Sequence, residues 1–388
     1  MSVVSVQQVK SVDVVLNATL QSSQVVAAAS HVKTAIGLAK SGRSSLPGQL
    51  TIAPWLGSPN GTTEEFLFSQ SLEAGGRRAA RVTATDSLIL DTQATYAESI
   101  VRVYTKILGI IVQLAAAERA HTQAQLVERN LADSLRVIET QVAAGSRPGS
   151  DVELARAMWN AARIETTMEY ERSKALREQL ATYGINNFGS TSSAVSSAIP
   201  QRNALTLSNA LGLRGASNAA RLSAELRSAN ASGRPDVSLL VRSQNFTRNF
   251  TPNDRGIAVQ VSIPVDHGTM RANATTVQSQ LTSLEARLKD EQSKQVSLCR
   301  SIDATIASLD VGITSTEISV VTPLFNYANK MQRAYLAGTV TVLAYLDAQR
   351  SYHDAQRKLI TLRDERDKAI LQLVEHGGLI PKDLVTAI

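Results

Sequence analysis

Few residues in this sequence stand at spacings that could do chemistry. The five histidines, His31, His121, His267, His353 and His376, lie far apart. They form no HExxH pattern and no i,i+4 pair that would set two imidazoles on one helix face for zinc. The single cysteine, Cys299, can form neither an internal disulfide nor a Cys-pair metal site. No GxSxG nucleophile elbow and no GxxxxGK(S/T) phosphate loop occurs, and Gly75-Gly76-Arg77 reads as a turn. Without a nucleophile, a base and a group to orient them, the chain is not expected to be an enzyme or to hold a cofactor or metal.

The remaining residues belong to elements, and the composition says which. The 388 residues are 43% hydrophobic but only 4% aromatic, an aliphatic, alanine-rich mixture suited to long helices. The net charge of +6 could suggest nucleic acid. The basic residues are nevertheless interleaved with carboxylates, as in ERNLADSLRVIE, which marks a solvated helix face and argues against a nucleic-acid partner. No segment reaches the eighteen or more apolar residues of a membrane-spanning helix. The first residues, MSVVSVQQVKSVDVV, lack the basic head, apolar core and cleavage site of a secretory signal.

The chain matches itself at an offset of 193 residues. Ser58-Pro59-Asn60 recurs as Thr251-Pro252-Asn253, Ser69 as Ser262, Gly75 as Gly268 and Arg78 as Arg271. Ala144-Gly145 recurs as Ala337-Gly338, and Ala155 as Ala348. One gapless offset over that distance points to a duplicated unit, residues 1–193 and 194–388.

Each half follows the same order. An apolar helical stretch (Val14–Lys40; Leu205–Ala229) leads to two short strands joined through a Pro-Asn turn. These are Gln49–Trp55 with Glu65–Leu72, and Val237–Asn245 with Arg255–Val265. In the last, Ile257, Val259, Val261, Ile263 and Val265 alternate with Ala258, Gln260, Ser262 and Pro264, a period of two. A very long helix follows (Arg77–Ala143; Thr269–Leu336), about 100 Å at 1.5 Å per residue. Gly145 and Gly338 end these helices, since glycine accepts the left-handed conformation. A second helix then returns (Asp151–Tyr183; Leu343–Glu375), with Ser150 or Asp151 placed to cap the first of them. The Ser- and Gly-rich segment Asn186–Arg202 joins the halves.

Four strands are too few to close a barrel, the smallest membrane barrels having about eight. Left open they would expose unpaired edges, whereas three copies would give twelve strands and no edge. The fold class expected is therefore mainly α with a small β part. Long antiparallel helical hairpins and four strands per protomer would build a trimeric 12-stranded barrel continued by a helical barrel. A soluble coiled-coil scaffold is the alternative that architecture leaves open.

Three motifs bear on that choice. Phe68-Ser69-Gln70-Ser71-Leu72-Glu73-Ala74-Gly75-Gly76-Arg77-Arg78 is an apolar strand turning through glycines into a basic helix start. Ser262-Ile263-Pro264-Val265-Asp266-His267-Gly268 is its partner. Tyr335-Leu336-Ala337-Gly338-Thr339-Val340, continuing to Leu346-Asp347-Ala348-Gln349-Arg350, is a helix–turn–helix tip. With these motifs the chain resembles the TolC-like outer-membrane efflux family along nearly its whole length. The LEAGGRR wording is most similar to the heavy-metal cation efflux subgroup, the CzcC-like proteins.

The resemblance implies an outer-membrane homotrimer whose helical barrel crosses the periplasm. Its partners would be a periplasmic adaptor, an inner-membrane pump and outer-membrane lipid. It also implies roles for particular residues. Asp347 falls on a channel-entrance aspartate, and Ser150, Asp151 and Tyr335 on an inter-helix gating link. Gly145 and Gly338 fall on the tip turns that meet the adaptor, and Gly75, Gly76 and Gly268 on the strand-exit turns. The chain departs from the family pattern at Ala344, where a second entrance aspartate often sits, and at Val340, where some members carry arginine. Three entrance carboxylates would then replace six. Arg77 and Arg78 sit at a helix start that disfavours cations, which points to an anionic partner such as lipid headgroups.

Overall fold

The computed structural model describes residues 13–43, 51–56, 63–73, 76–186, 198–207, 210–246, 254–263 and 267–385. Both Pro-Asn turns, Gly75, Pro264, Val265 and most of the joining segment lie outside them.

Residues 13–21 are helical, and α1 (Ser23–Gly42) continues past a break at Ser22. Strands β1 (Thr51–Leu56) and β2 (Thr63–Leu72) precede α2 (Arg77–Ala143), a helix of 67 residues. Helix α3 (Ser150–Ala181) returns. After a 3-10 turn at Arg202–Ala204 comes β3 (Leu205–Leu207), then α4 (Ala210–Ser232), β4 (Asp236–Phe246) and β5 (Asp254–Ser262). Helix α5 (His267–Thr316) passes through a π-helical turn at Glu317–Val321 into α6 (Thr322–Leu336). Helices α7 (Val342–Glu375) and α8 (Lys382–Val385) flank β6 (Leu379–Pro381).

Three expectations are corrected here. Leu205 to Leu207 are not helical but pair antiparallel with Leu379 to Pro381. At three residues each, such strands show no periodicity to read. Gly268 is not a turn: it lies in the first turn of α5 and takes no positive φ. A glycine is tolerated in a helix at a cost of about 1 kcal/mol, so the helix starts before it. Finally, two helical stretches, within Arg77–Ala143 and within Gly268–Leu336, each contain an 18-residue window apolar enough to cross a membrane by length and composition. Alanine and isolated polar residues keep such windows apolar on average although no unbroken apolar run exists. In the first window 56% is buried inside the protein, so its apolar surface serves the core.

The chain forms two compact units, neither of which coincides with a sequence half. One comprises Ala27–Glu98 and Asn209–Ser293, the other Met1–Val26, Ser99–Ser208 and Lys294–Ile388.

The first of these carries a four-stranded antiparallel sheet in the order β1-β2-β4-β5. Its two hairpins come from different halves and join through β2 and β4, with Phe68 opposite Val241 and Leu72 opposite Val237. Strands β1 and β5 are the outer strands, each paired on one side only among the described strands. The β5 valines and isoleucines stay in the open: Ile257 is 77% exposed and Val259 62%. Behind the strand exit, Gly76 turns the backbone at φ +92°, and Arg81 binds both carboxylate oxygens of Glu73 at 2.7 Å. Gly215 lets α4 approach Leu288 of α5, where an added Cβ would lie 3.0 Å from its methyl. Arg214 of α4 reaches Asp91 at 2.8 Å and Glu98 at 2.6 Å on α2.

The second unit is a helical bundle. Ile100, Val103, Tyr104, Ile107, Leu108, Ile111, Val112 and Leu114 of α2 are almost wholly buried, at the three- and four-residue spacing of one helix face. Ile370, Leu373 and Val374 of α7 are equally buried, and Gly109 sits in van der Waals contact with Leu371.

Candidate functional site at the paired helix turns

The turn closing α2 and the turn closing α6 are built alike. Gly145 and Gly338 take φ +71° and +75°, as a left-handed helix stop requires. The amide of Gly145 donates to Val142 O at 2.9 Å, and that of Gly338 to Tyr335 O at 2.9 Å. The next residue repeats the pattern with backbone and side chain. Ser146 donates from N and Oγ to Gln141 O at 3.0 and 2.7 Å, and Thr339 from N and Oγ1 to Ala334 O, both at 2.9 Å. Every corresponding pair is 193 residues apart.

The returning helices start differently. Thr341 caps α7, its Oγ1 accepting from Ala344 N at 3.2 Å. The matching position, 148, is proline and offers no acceptor. Gly149 takes the cap position of α3 without a side-chain hydrogen bond. The capping role expected of Ser150 or Asp151 is therefore not seen; both lie inside the helix, Ser150 exposed and Asp151 half-buried.

Between the turns lies a small core of Val127, Leu131, Leu135, Ile138, Val342 and Leu346 around two tyrosines. Tyr335 is 1% exposed and stacks on Tyr345, ring centroids 5.1 Å apart and planes 10° from parallel. Such offset contact of aromatic faces is favourable beyond the area it buries. The Tyr335 hydroxyl donates to Gln141 Oε1 at 2.5 Å, and the Tyr345 hydroxyl pairs with Ser134 Oγ at 2.8 Å. Arg147 reaches over from the first turn. Its guanidinium carbon lies 4.9 Å from the Tyr335 ring centre, and its Nη2 donates to Val340 O at 3.2 Å. Burial raises the pKa of the Tyr335 hydroxyl, Arg147 opposes that shift, and Asp151 and Tyr345 add to it.

Of the residues expected at the site, Tyr335 is central and Asp151 is near enough for its charge to act on it. Asp347 is held apart. It is exposed, between the buried Leu346 and Ala348, so it faces away from the tyrosine core. Gly75 lies outside the described residues, Gly76 belongs to the strand exit, and Gly268 to the first turn of α5. Sequence reasoning missed Gln141, Arg147 and Tyr345. The signal available for Arg147 was its spacing of 193 from Val340. Among the described residues, no group of three or more His, Cys, Asp or Glu is placed to hold a metal ion.

No protein-family model matches the chain, and no curated protein matches it in sequence. Solved structures match its fold. The outer membrane protein VceC from Vibrio cholerae is similar at a TM-score of 0.74 and 18% identity, over 95% of this chain and 96% of that one. CusC, described in terms of folding and transmembrane channel formation, matches at 0.75 and 16%, over 95% and 92%. The Campylobacter jejuni CmeC outer membrane channel matches at 0.71 and 12%, over 97% and 88%. The chain has the fold of the TolC-family outer-membrane efflux channels.

Proposed function

We propose that this chain, built on the fold of the TolC-family outer-membrane channels, is one protomer of a homotrimeric efflux duct. The observation that carries this reading is the four-stranded sheet with β1 and β5 as open outer strands. Exposed strand edges invite pairing with another chain, and three such sheets joined edge to edge make a closed barrel of twelve strands. The strands, six to eleven residues long, suit tilted passage through a bilayer, which takes about nine to eleven residues. The exposed side chains of β5 would then meet outer-membrane lipid.

In this reading the halves 1–193 and 194–388 descend from a duplication, which the matched turns at Gly145 and Gly338 support. The helical hairpins form a periplasmic barrel, and their turns meet a periplasmic adaptor that links the duct to an inner-membrane pump. Asp347 lines the entrance, while Tyr335, Ser150 and Asp151 belong to the link that holds the entrance narrow. The duct is a passive conduit and not an enzyme. Transport energy comes from the pump, and the cargo is a small molecule or metal cation passing from periplasm to exterior. The test is reconstitution of the detergent-extracted protein in planar bilayers. Discrete conductance steps are expected; a protein that stays soluble without detergent and never conducts would refute the reading.

A further inference from the structure

We propose that the cavity between α2 and α4, at the end next to the sheet, binds the phosphodiester headgroup of an anionic phospholipid. Arg77 would hold the phosphate. The site rests on the duct reading, which sets the sheet in a bilayer and so brings lipid to this end of the two helices.

The cavity follows from the residues that face each other across it. Helices α2 and α4 run antiparallel, with Arg227 donating to Thr83 Oγ1 at 2.6 Å and Ser217 to Asp91 Oδ1 at 3.2 Å. Along this stretch the facing side chains are short. Ala80, Ala224 and Ala231 are buried, and an alanine reaches no further than its Cβ. A space of about 610 Å³ stays open between the helices, within the usual range of small-molecule sites.

Its walls are cationic. Arg77 and Arg81 of α2 and Arg221 of α4 line it, against one lining carboxylate, Glu225. The three arginines do not stand alike. Arg81 is engaged behind the wall, binding both carboxylate oxygens of Glu73 and donating to Gly42 O. Arg221 holds Glu225 at 2.5 Å, at the end away from the sheet. Arg77, the first residue of α2, stands at the near end, five residues after β2 finishes at Leu72. Ser228 and Ser232, close to the end of α4, line the cavity there. Arg234 comes to the same end, its guanidinium 3.6 Å from where a Cβ on Gly76 would lie.

This chemistry fits a phosphate. A guanidinium grips one through two parallel charge-assisted hydrogen bonds, and a serine hydroxyl can donate to a third oxygen. Arg77 also sits at a helix start, where the dipole disfavours its charge; a phosphate beside it offsets that. Among the described residues the lining is arginine, serine, alanine and glutamate only. It therefore suits a polar headgroup and not an acyl chain. The strands that leave this end are paired, Leu72 opposite Val237, so in the duct the cavity lies at the level where headgroups border the barrel. From Arg77 to Ser87 the groove runs about 15 Å along α2, room for the glycerol of a headgroup beyond its phosphate.

Titration of the full-length protein in nonionic detergent with dihexanoyl phosphatidylglycerol tests this, with hydrogen exchange read at residues 77–88 and 221–232. The lipid should bind the parent and slow exchange in both segments. Arg77→Gln should weaken binding about tenfold or more, as the loss of hydrogen bonds to a charged group does. Ala84→Leu keeps every charge and fills the cavity from a lining position. It should weaken binding as much, and it carries the test if Arg77→Gln does not assemble. Arg78→Gln, at a residue outside the lining, should stay within about twofold of the parent, as an exposed charge does. An equal loss there would show attraction to a basic surface and overturn the cavity. Unchanged binding in both lining variants would overturn the site. Inorganic phosphate at the same concentration should leave exchange unchanged; protection by phosphate alone would overturn the lipid assignment in favour of a free anion. Planar-bilayer conductance of the parent separates the two readings. A protein that conducts but binds no lipid keeps the duct and loses the site, whereas without conductance the duct reading fails and the titration still decides the cavity.

Discussion

The guanidinium of Arg119 on α2 lies 2.5 Å from a carboxylate oxygen of Asp367 on α7, with the two side chains only 14% and 5% exposed. Asp364 meets the same guanidinium at 3.0 Å, and its own carboxyl is held above its ordinary range, by burial first and by Asp367 in addition. One arginine thus compensates two acids where water is scarce. Removing it leaves the buried Asp367 with the longer contact to Arg366 at 3.5 Å, and Asp364 without its 3.0 Å partner. Arg119→Leu should therefore cost about 3–5 kcal/mol, whereas replacing all three groups with apolar residues of similar volume should be near neutral or stabilising. Urea unfolding of the helical signal distinguishes the two. An Arg119→Leu loss below about 1 kcal/mol would place the pair among exposed bridges of little weight.

His353 gives a second, pH-dependent signature. It is 5% exposed on α7, with Gln123 of α2 3.4 Å from its Nδ1. Burial lowers its pKa to about 4, the nearby Arg357 adds to that shift, and Asp354 opposes it. The folded value lies below the unfolded value of about 6.5, so the unfolded chain binds more protons between the two. Stability is then full above about pH 6.5 and is lost as pH falls toward 4, by about 3 kcal/mol across the window. His353→Leu should flatten that part of the profile. Equal pH slopes in parent and variant between pH 4 and 6.5 would contradict the assignment.

On β5, Val259 pairs opposite Leu239 and Gln260 opposite Ser238, so successive residues point to opposite faces of the sheet. Within a barrel one face meets lipid. Val259→Arg and Val261→Arg should each cost about 2–4 kcal/mol near the bilayer midplane, and Gln260→Arg far less. Heat resistance of the assembled oligomer reports the difference. Equal losses at all three positions would mean that the facing is wrong.

At the entrance, three exposed Asp347 carboxylates converging on an axis would draw cations into the mouth, an effect screened by salt over about 10 Å at 0.1 M. Asp347→Asn should leave folding intact, lower cation preference and weaken block by multivalent cations. A variant that conducts and selects like the parent would show that Asp347 does not face the pore.

What could be read from sequence follows from where the signals are local. The long helix α2 begins at Arg77 and ends at Ala143, both as expected, because glycines stand just outside each end. The strands of the sheet were legible from alternation and from the turn residues between them. Their joining through β2 and β4 was not, since it pairs residues some 170 positions apart. The site was legible only in part. Tyr335 carries a motif, but the acceptor that Arg147 finds is a backbone carbonyl, Val340 O, and no side-chain pattern marks a carbonyl. Gln141 and Tyr345 meet Tyr335 only once three helices have packed.

The number of copies in the assembled protein bears most directly on the duct. Four strands with open outer edges close into a barrel with three copies, and a single copy leaves its edges unpaired. Native mass measurement of the detergent-extracted protein should give three times the chain mass of 41.6 kDa, with no stable smaller species while the sheet is formed. A folded monomer or dimer that retains all four strands would contradict the duct.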